Sequence, residues 1–287
     1  MAYIYLVLSV FMSASSTLFG NLFNKQCQEK KNTSTLYNFL LLTSVFLCWS
    51  ILYVFDLSFD VAVLGYSILF AVFYTTCKFA IINALKHGPM MLTSLFVGLS
   101  LILTTIWGFF FWDVSITVSV ITGVVLVSIA IYLCLYTDKK DGKEFSWKWL
   151  VYALLALVSN AGCSIVQRTQ QIQFNGKYGN MLMFFATLFS VLVYTVFYLK
   201  NRKENMLREV KHLWWIPVVS GMCNVVLNVF VMLMALTDLS PSLIYPIIGV
   251  GSLGVTTIAS LVIFKEKMCW WQWVGIGIGA IAIALLS

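Results

Sequence analysis

The stretch from Leu36 to Phe55, LYNFLLLTSVFLCWSILYVF, runs for 20 residues without a charged side chain. Wound as an α-helix at about 1.5 Å per residue, it spans about 30 Å, the thickness of a bilayer's hydrocarbon core. Read outward in both directions, the chain offers nine further mostly apolar runs, two of which include a basic residue. They are Tyr3 to Asn24, Val61 to Leu85, Met90 to Trp112, Ile116 to Tyr136, Lys148 to Gln170, Gly179 to Leu199, Leu213 to Leu236, Pro241 to Phe264 and Trp270 to Leu286. Over 287 residues the apolar fraction is 61% and the charged fraction 10%, a composition suited to lipid rather than water.

Hydrocarbon offers no hydrogen-bond partners, so a spanning chain is either helical or a closed barrel. Continuous apolar runs lack the alternation that a barrel strand needs. The expected fold class is therefore all-α integral membrane, with ten transmembrane helices. The first run lacks a basic leader and a small-residue cleavage site, and it carries Asn21 and Asn24 near its end, so it reads as a retained helix. Seven scattered cysteines include no C-x-x-C and read as packing residues. His87 and His212 are the only histidines and fall at loops, so no metal site and no cofactor are expected. The net charge of +7 sits on short loops between spans, which argues for membrane topology and against nucleic acid.

A shift of about 152 positions superposes the chain on itself. It matches Pro89 to Pro241, Leu101 to Leu253, and Thr104-Thr105-Ile106 to Thr256-Thr257-Ile258. It also matches Gly123 to Gly275, and Ile129-Ala130-Ile131 to Ile281-Ala282-Ile283. The organisation expected is a first five-helix repeat over 1–137, a linker loop over 138–147 and a second repeat over 148–287. Five is an odd number of crossings, so equivalent helices run in opposite directions and the repeats are inverted. Loop charges agree. The loop after the second span has no Lys or Arg, whereas its counterpart after the seventh carries Lys200, Arg202, Lys203, Arg208 and Lys211. Of 18 Lys and Arg residues, 15 lie on one side, which by the positive-inside rule faces the cytosol and places both termini outside.

The end of the chain carries a second signal. Phe264-Lys265-Glu266-Lys267, then Trp270 to Trp273 and the small-residue run from Gly275 to Leu286, resembles the close of EamA-type members of the drug/metabolite transporter superfamily. Glu266 and Lys267 occupy the family's acidic-basic turn, and Lys265 stands where the family often has glycine. Ala235 to Leu243, with its Ser-Pro-Ser-Leu, resembles the same superfamily. The resemblance implies transport by alternating access, a cavity walled by helices three, four, eight and nine, and cytosolic termini. On orientation it opposes the loop charges, and both alternatives stand at this point.

All Asp and Glu residues fall at loops or helix ends, so no carboxylate lies deep in the bilayer for proton coupling or for binding an organic cation. Lys78 is the one clear ionisable residue inside a span, at a cost of about 2.5–3.5 kcal/mol unless it is paired or wet. Either it faces a cavity and binds a carboxylate or phosphate, with Tyr74 one turn before it and Asn83 farther along, or its stem snorkels to the interface. Asn224 and Asn228, four apart, share one helix face and line a polar cavity or bond between helices. Tyr245 is a candidate substrate contact or an interface anchor. Candidate gate or helix-break residues are Arg168, Pro241, Pro246, Gly249 and Gly251, because proline removes a backbone donor and lets a helix bend.

The function these features point to is a secondary active transporter of a small polar metabolite, anionic or zwitterionic, such as an amino acid or an organic or phosphorylated anion. The alternatives are a multidrug or lipid-linked-substrate exporter of the same fold, and a non-transporting receptor or assembly subunit. No Walker A, HExxH or GxSxG motif occurs, so neither an ATP motor nor an enzyme is expected. The partners expected are a small-molecule substrate and the lipid bilayer, with a monomer or homodimer in a bacterial-type cell membrane.

Overall fold

A computed structural model describes residues 2–27, 33–112, 118–135, 146–201, 212–234, 241–265 and 270–285. Among these residues the chain is all helix: α1 (Ala2–Gln26), α2 (Thr33–Val54), α3 (Val61–His87), α4 (Met90–Gly98), α5 (Ser100–Phe111), α6 (Val118–Leu135), α7 (Trp147–Gln173), α8 (Gly179–Asn201), α9 (Trp215–Met234), α10 (Pro241–Val262) and α11 (Trp270–Leu285). Six of them, α1, α2, α3, α7, α8 and α9, are long and apolar enough to cross a membrane on their own length. The expected linker, 138–147, lies almost wholly outside the described residues, as do Glu266 and Lys267.

Local chemistry accounts for where these helices start and stop. The Asp60 carboxylate accepts from the Ala62 amide at 2.9 Å and opens α3, and the Ser146 hydroxyl accepts from the Trp149 amide at 3.2 Å and opens α7. Gly88 and Pro89 separate α3 from α4 with extended backbone. Between α7 and α8 the chain turns within five residues, where Gly176 takes φ 75°, a value that suits a residue without Cβ. The Gln170 side chain, buried, donates to the Lys177 carbonyl at 2.7 Å and ties that turn.

The fourth span, expected as one run from Met90 to Trp112, is two helices meeting at Leu99, whose ψ of −8° departs from the helical value. Gly98 and Ser100 flank the break. A side chain from another helix holds it. The Asn160 amide on α7 donates to the Ser100 hydroxyl at 2.8 Å and reaches the Val97 carbonyl at 3.5 Å. An inserted side chain of this kind is one of the recognised causes of a helix break.

Packing crosses between the halves. α3 lies along α7, and α9, the helix that the sequence expects as the counterpart of α3, lies along α1. α1 packs on α10, as α7 packs on α4 and α5; α2 packs on α9, as α8 packs on α3. Three pairs join helices that the sequence expects as counterparts: α2 with α8, α6 with α11, and α4 with α10. Two side-chain bonds recur at the 152-residue offset as well, because Thr104 donates to the Ser100 carbonyl at 3.4 Å and Thr256 to the Ser252 carbonyl at 2.9 Å.

Close approach at these interfaces depends on glycine. A Cβ on Gly162 would lie 2.5 Å from the Phe73 ring of α3, and one on Gly221 would lie 2.8 Å from the Leu41 carbonyl of α2 and collide with the Ser44 hydroxyl. Large apolar side chains such as Leu47, Ile51, Val196 and Val262 face outward, as expected where the surroundings are lipid tails. Trp214, Trp215, Trp270 and Trp273 are exposed at helix starts, as in an interfacial belt.

Gly162→Ala and Gly221→Ala are expected to lower stability by about 1–3 kcal/mol through overpacking. Gly65→Ala, which has nothing within 4 Å of the new Cβ, is expected to be neutral or slightly stabilising. Thermal unfolding in detergent measures all three, and equal melting temperatures for them would contradict the close-packing assignment.

Candidate functional site

The middle of the structure holds one cation. Lys78 sits on α3, nine residues before the helix ends at His87, or about 13 Å along the axis. Its ammonium lies over the Tyr74 ring, 5.0 Å from the centroid. The two residues are four apart and therefore stacked on one helix face. Lys78 is half-buried, and among the described residues its ammonium has no carboxylate and no hydrogen-bonding partner. Its compensation is the ring's negative face, worth about 0.5–2 kcal/mol, less than the cost of holding a charge at that depth.

Tyr74 also looks the other way, into the second half. Its hydroxyl donates to Asn224 Oδ1 on α9 at 2.8 Å. Asn228, one turn on, donates to the Asn224 carbonyl at 2.7 Å and approaches Asn224 Oδ1 at 3.5 Å. The oxygen of Asn224 is thus engaged. Its amide nitrogen and the oxygen of Asn228 have no partner among the described residues, and both residues are half-buried. The result is a cation, a phenol and two amides from α3 and α9 within one polar patch at the junction of the halves. The ammonium and the Asn224 amide N–H can donate, and the Asn228 oxygen can accept.

The remaining sequence candidates are placed elsewhere. Asn83 is buried and fully used: its oxygen accepts from the Ser34 hydroxyl at 3.3 Å, and its amide donates to the Phe79 carbonyl at 2.8 Å. It joins α2 to α3 rather than joining the Lys78 patch. Arg168 lies near the end of α7, with its guanidinium carbon 5.0 Å over the Trp112 ring at the end of α5. At the opposite end of the bundle Lys25 repeats the arrangement. Its ammonium lies 4.3 Å over the Phe264 ring and donates to the Phe264 carbonyl at 3.2 Å. Trp112 and Phe264 are themselves 152 residues apart, the offset of the repeat. Pro241, Tyr245 and Pro246 fall within α10, but their side chains lie outside the described set. Gly251 admits Val10 of α1, whose methyl would stand 2.8 Å from a Cβ there, and the Gly249 carbonyl accepts from Ser252 at 3.1 Å.

Sequence reasoning noted Asn160 deep in its span, as part of a polar cap, a gate or an anion contact, without finding its partners, and it missed a second group in the core. Asn160 accepts from the Cys77 thiol at 3.8 Å while holding the break between α4 and α5, so it connects the residue next to Lys78 with the interrupted span. Ser16, Tyr37 and Ser220 form a second bonded group. Tyr37 donates to Ser220 at 2.9 Å, and the Ser16 and Ser220 hydroxyls lie 3.1 Å apart. An amide deep inside an apolar run was the available signal for Asn160. Serine in such runs carries no comparable signal, because it bonds its own helix equally well.

Tyr74→Phe is expected to cost about 0.5–1.5 kcal/mol by removing the bond to Asn224. Combined with Asn224→Leu, it is expected to cost less than the sum of the single changes by at least about 0.5 kcal/mol. Strict additivity in reversible unfolding would show that the two side chains do not interact.

The comparisons with known proteins agree with this architecture. No curated protein sequence matches the chain. Among 28 solved chains that match is a crystal structure, described only as "Crystal structure of protein", that superposes with a TM-score of 0.60 at 11% identity. The likeness covers 96% of this chain and 95% of that one, and at such identity it shows the fold alone. One family model matches twice, over residues 1–136 and again over 147–287, and its description is the EamA-like transporter family. Two matches that together span nearly the whole sequence show that the chain belongs to the EamA-like transporter family, a multi-pass membrane transporter of the drug/metabolite superfamily.

Proposed function

We propose that the protein is a secondary active transporter that carries a small anionic or zwitterionic metabolite by alternating access, using Lys78 as the anchor for a carboxylate or phosphate. The observation that carries this reading is the Lys78 ammonium over the Tyr74 ring, without a carboxylate partner among the described residues, together with the Tyr74 hydroxyl bonded to Asn224. An ion left at that depth with only a ring for company is stabilised by an anionic ligand, which supplies the missing counter-charge. A hydrophobic cation would add like charge to the same patch. The site lies between α3 and α9, counterparts five spans apart, so both halves contribute to it.

The two halves act in this reading as inverted five-helix repeats. Support comes from the exchange of packing partners between them, from the Thr104 and Thr256 bonds at one offset, and from the double match of one family model. Inverted halves around a shared site are the natural geometry for opening to alternate sides of a membrane.

Purified wild type and Lys78→Ala are compared by thermal shift against amino acids, organic anions, sugar phosphates and hydrophobic cations. A ligand at 100 times its Kd adds about 2.7 kcal/mol to the folded state. The expected outcome is stabilisation of wild type by at least one anion or amino acid, lost in Lys78→Ala. Stabilisation by hydrophobic cations only, or an equal response of Lys78→Ala, overturns the anion reading and leaves Lys78 as a snorkelling residue.

A further inference from the structure

Exchange of the halves sorts the helix contacts into two kinds. A contact whose mirror image is also present has nothing to exchange when the transporter changes sides, so it persists in both states. α3 on α7 and α1 on α9 are mirror images and both are present, as are α1 on α10 with α7 on α4 and α5, and α2 on α9 with α8 on α3. These persistent contacts collect the helices into two interleaved groups, α1, α2, α9 and α10 in one and α3, α4, α5, α7 and α8 in the other.

Side chains reinforce the same division. Within the first group Ser16 and Tyr37 bond Ser220, Lys25 holds Phe264, and Gly221 and Gly251 admit their neighbours closely. Within the second group Asn160 bonds α4 and α5, Thr75 bonds Ser190 at 2.9 Å, Arg168 covers Trp112, and Gly162 admits Phe73. Each group thus carries its own cross-helix bonds, a cation over an aromatic ring, and glycine contacts tighter than 3 Å.

The seam between the groups differs. α2 against α8 and α4 against α10 each join the groups and map onto themselves under the exchange; the first, bonded by Asn38 to Tyr194 at 3.0 Å and lined by stacked rings, Phe39 on Tyr198 and Tyr53 on Phe184, serves as the pivot. α1 against α3 and α2 against α3 have mirror pairs, α7 with α9 and α8 with α9, that do not pack comparably among the described residues. α1 against α4 is unmatched across the groups as well, whereas α1–α2 and α3–α4, also unmatched, join chain neighbours inside one group; the unmatched contacts between the groups are the ones that change. Those of α3 are held by the Asn24 amide donating to the Ile82 carbonyl at 2.7 Å and by Ser34 donating to Asn83. Gly20 lies against Leu85 there, where a Cβ would meet the leucine at 3.1 Å, a looser fit than at Gly162 or Gly221, although Gly179 against Met232, elsewhere between the groups, is tight at 2.6 Å.

We propose that the two interleaved groups are the bodies that move, and that Asn24, Ser34 and Asn83 form the gate between them at the face of the α1–α2 and α3–α4 loops. The gate closes one end of the path to Lys78, and its opening swings α3 away from α1 and α2 about the α2–α8 pivot. This rests on the alternating-access reading above. It gives Asn83 a gating role in place of the substrate contact expected from its position in the sequence.

The test uses full-length protein in lipid nanodiscs, with the seven native cysteines replaced and pairs of spin labels introduced. One pair, at Gln26 and Lys86, spans the gate; the other, at Gln26 and Ile263, lies inside the first group. In Asn24→Leu combined with Ser34→Ala, the gate pair is expected to gain a second, longer distance population while the internal pair keeps its wild-type distribution. An unchanged gate pair, or equal lengthening of both pairs, overturns the proposal. Should the double variant not fold, Ser34→Ala alone is expected to raise the same long population to a smaller extent, and its absence there is equally decisive. No substrate enters this measurement, so it fails separately from the Lys78 binding test.

Discussion

Hydrocarbon gives a polar atom nothing to bond, and the rest of this structure follows from that constraint. Each buried hydroxyl or amide finds its partner within the protein or remains unpaired at a cost. Most serines and threonines take the nearest solution and bond the carbonyl one turn back, as Thr43 does to Phe39, Ser67 to Val63 and Thr187 to Met183. Such bonds satisfy a side chain without linking two helices. The links come from the longer side chains, Asn24, Asn38, Asn160, Tyr37 and Tyr74, which reach a neighbouring helix. Helix association in a membrane gains little from apolar burial, because lipid tails are as apolar as leucine, so these few reaching side chains and the glycine contacts decide which helices become neighbours.

Lys78 is the exception that the constraint makes informative. Tyr74 and Asn224 bond each other and Cys77 bonds Asn160, whereas among the described residues the Lys78 ammonium has only the Tyr74 ring. The protein could have removed the cost by placing an Asp or Glu on α7, α9 or α10, and none of those helices contains one. A cost that persists beside a phenol and an amide, at the junction of two halves, is the kind of local inconsistency found where a ligand completes the structure.

Much of this was legible in the order of residues. Apolar runs of helical length marked the helices, six of which are long and apolar enough to cross a membrane among the described residues. Lys78 and the pair Asn224 and Asn228 stood out because ionisable and amide groups are rare in such runs. The partners were not legible. α3 is apolar nearly all round, so periodicity does not say which face meets α7 and which meets α8. Asn83 therefore looked equivalent to Tyr74, although the two lie nine residues apart and point to different neighbours. The break at Leu99 was hidden for the same reason: Gly98 and Ser100 permit a kink, but only the arrival of Asn160 from another helix holds one in place.

The lengthwise pairing of α3 with α7 also bears on how the protein is made. A ribosome adds about 5–20 residues per second, so the roughly 85 residues between Lys78 and the part of α7 around Cys163 take about 4–17 s to emerge. Throughout that interval α3 is in or near the bilayer without its principal neighbour. A lysine, unlike an arginine fork locked to a partner, carries its charge on a flexible stem that can reach the interface while it waits. Choosing lysine at position 78 thus reconciles two demands separated in time, a helix that the insertion machinery accepts and a finished interior that holds a cation.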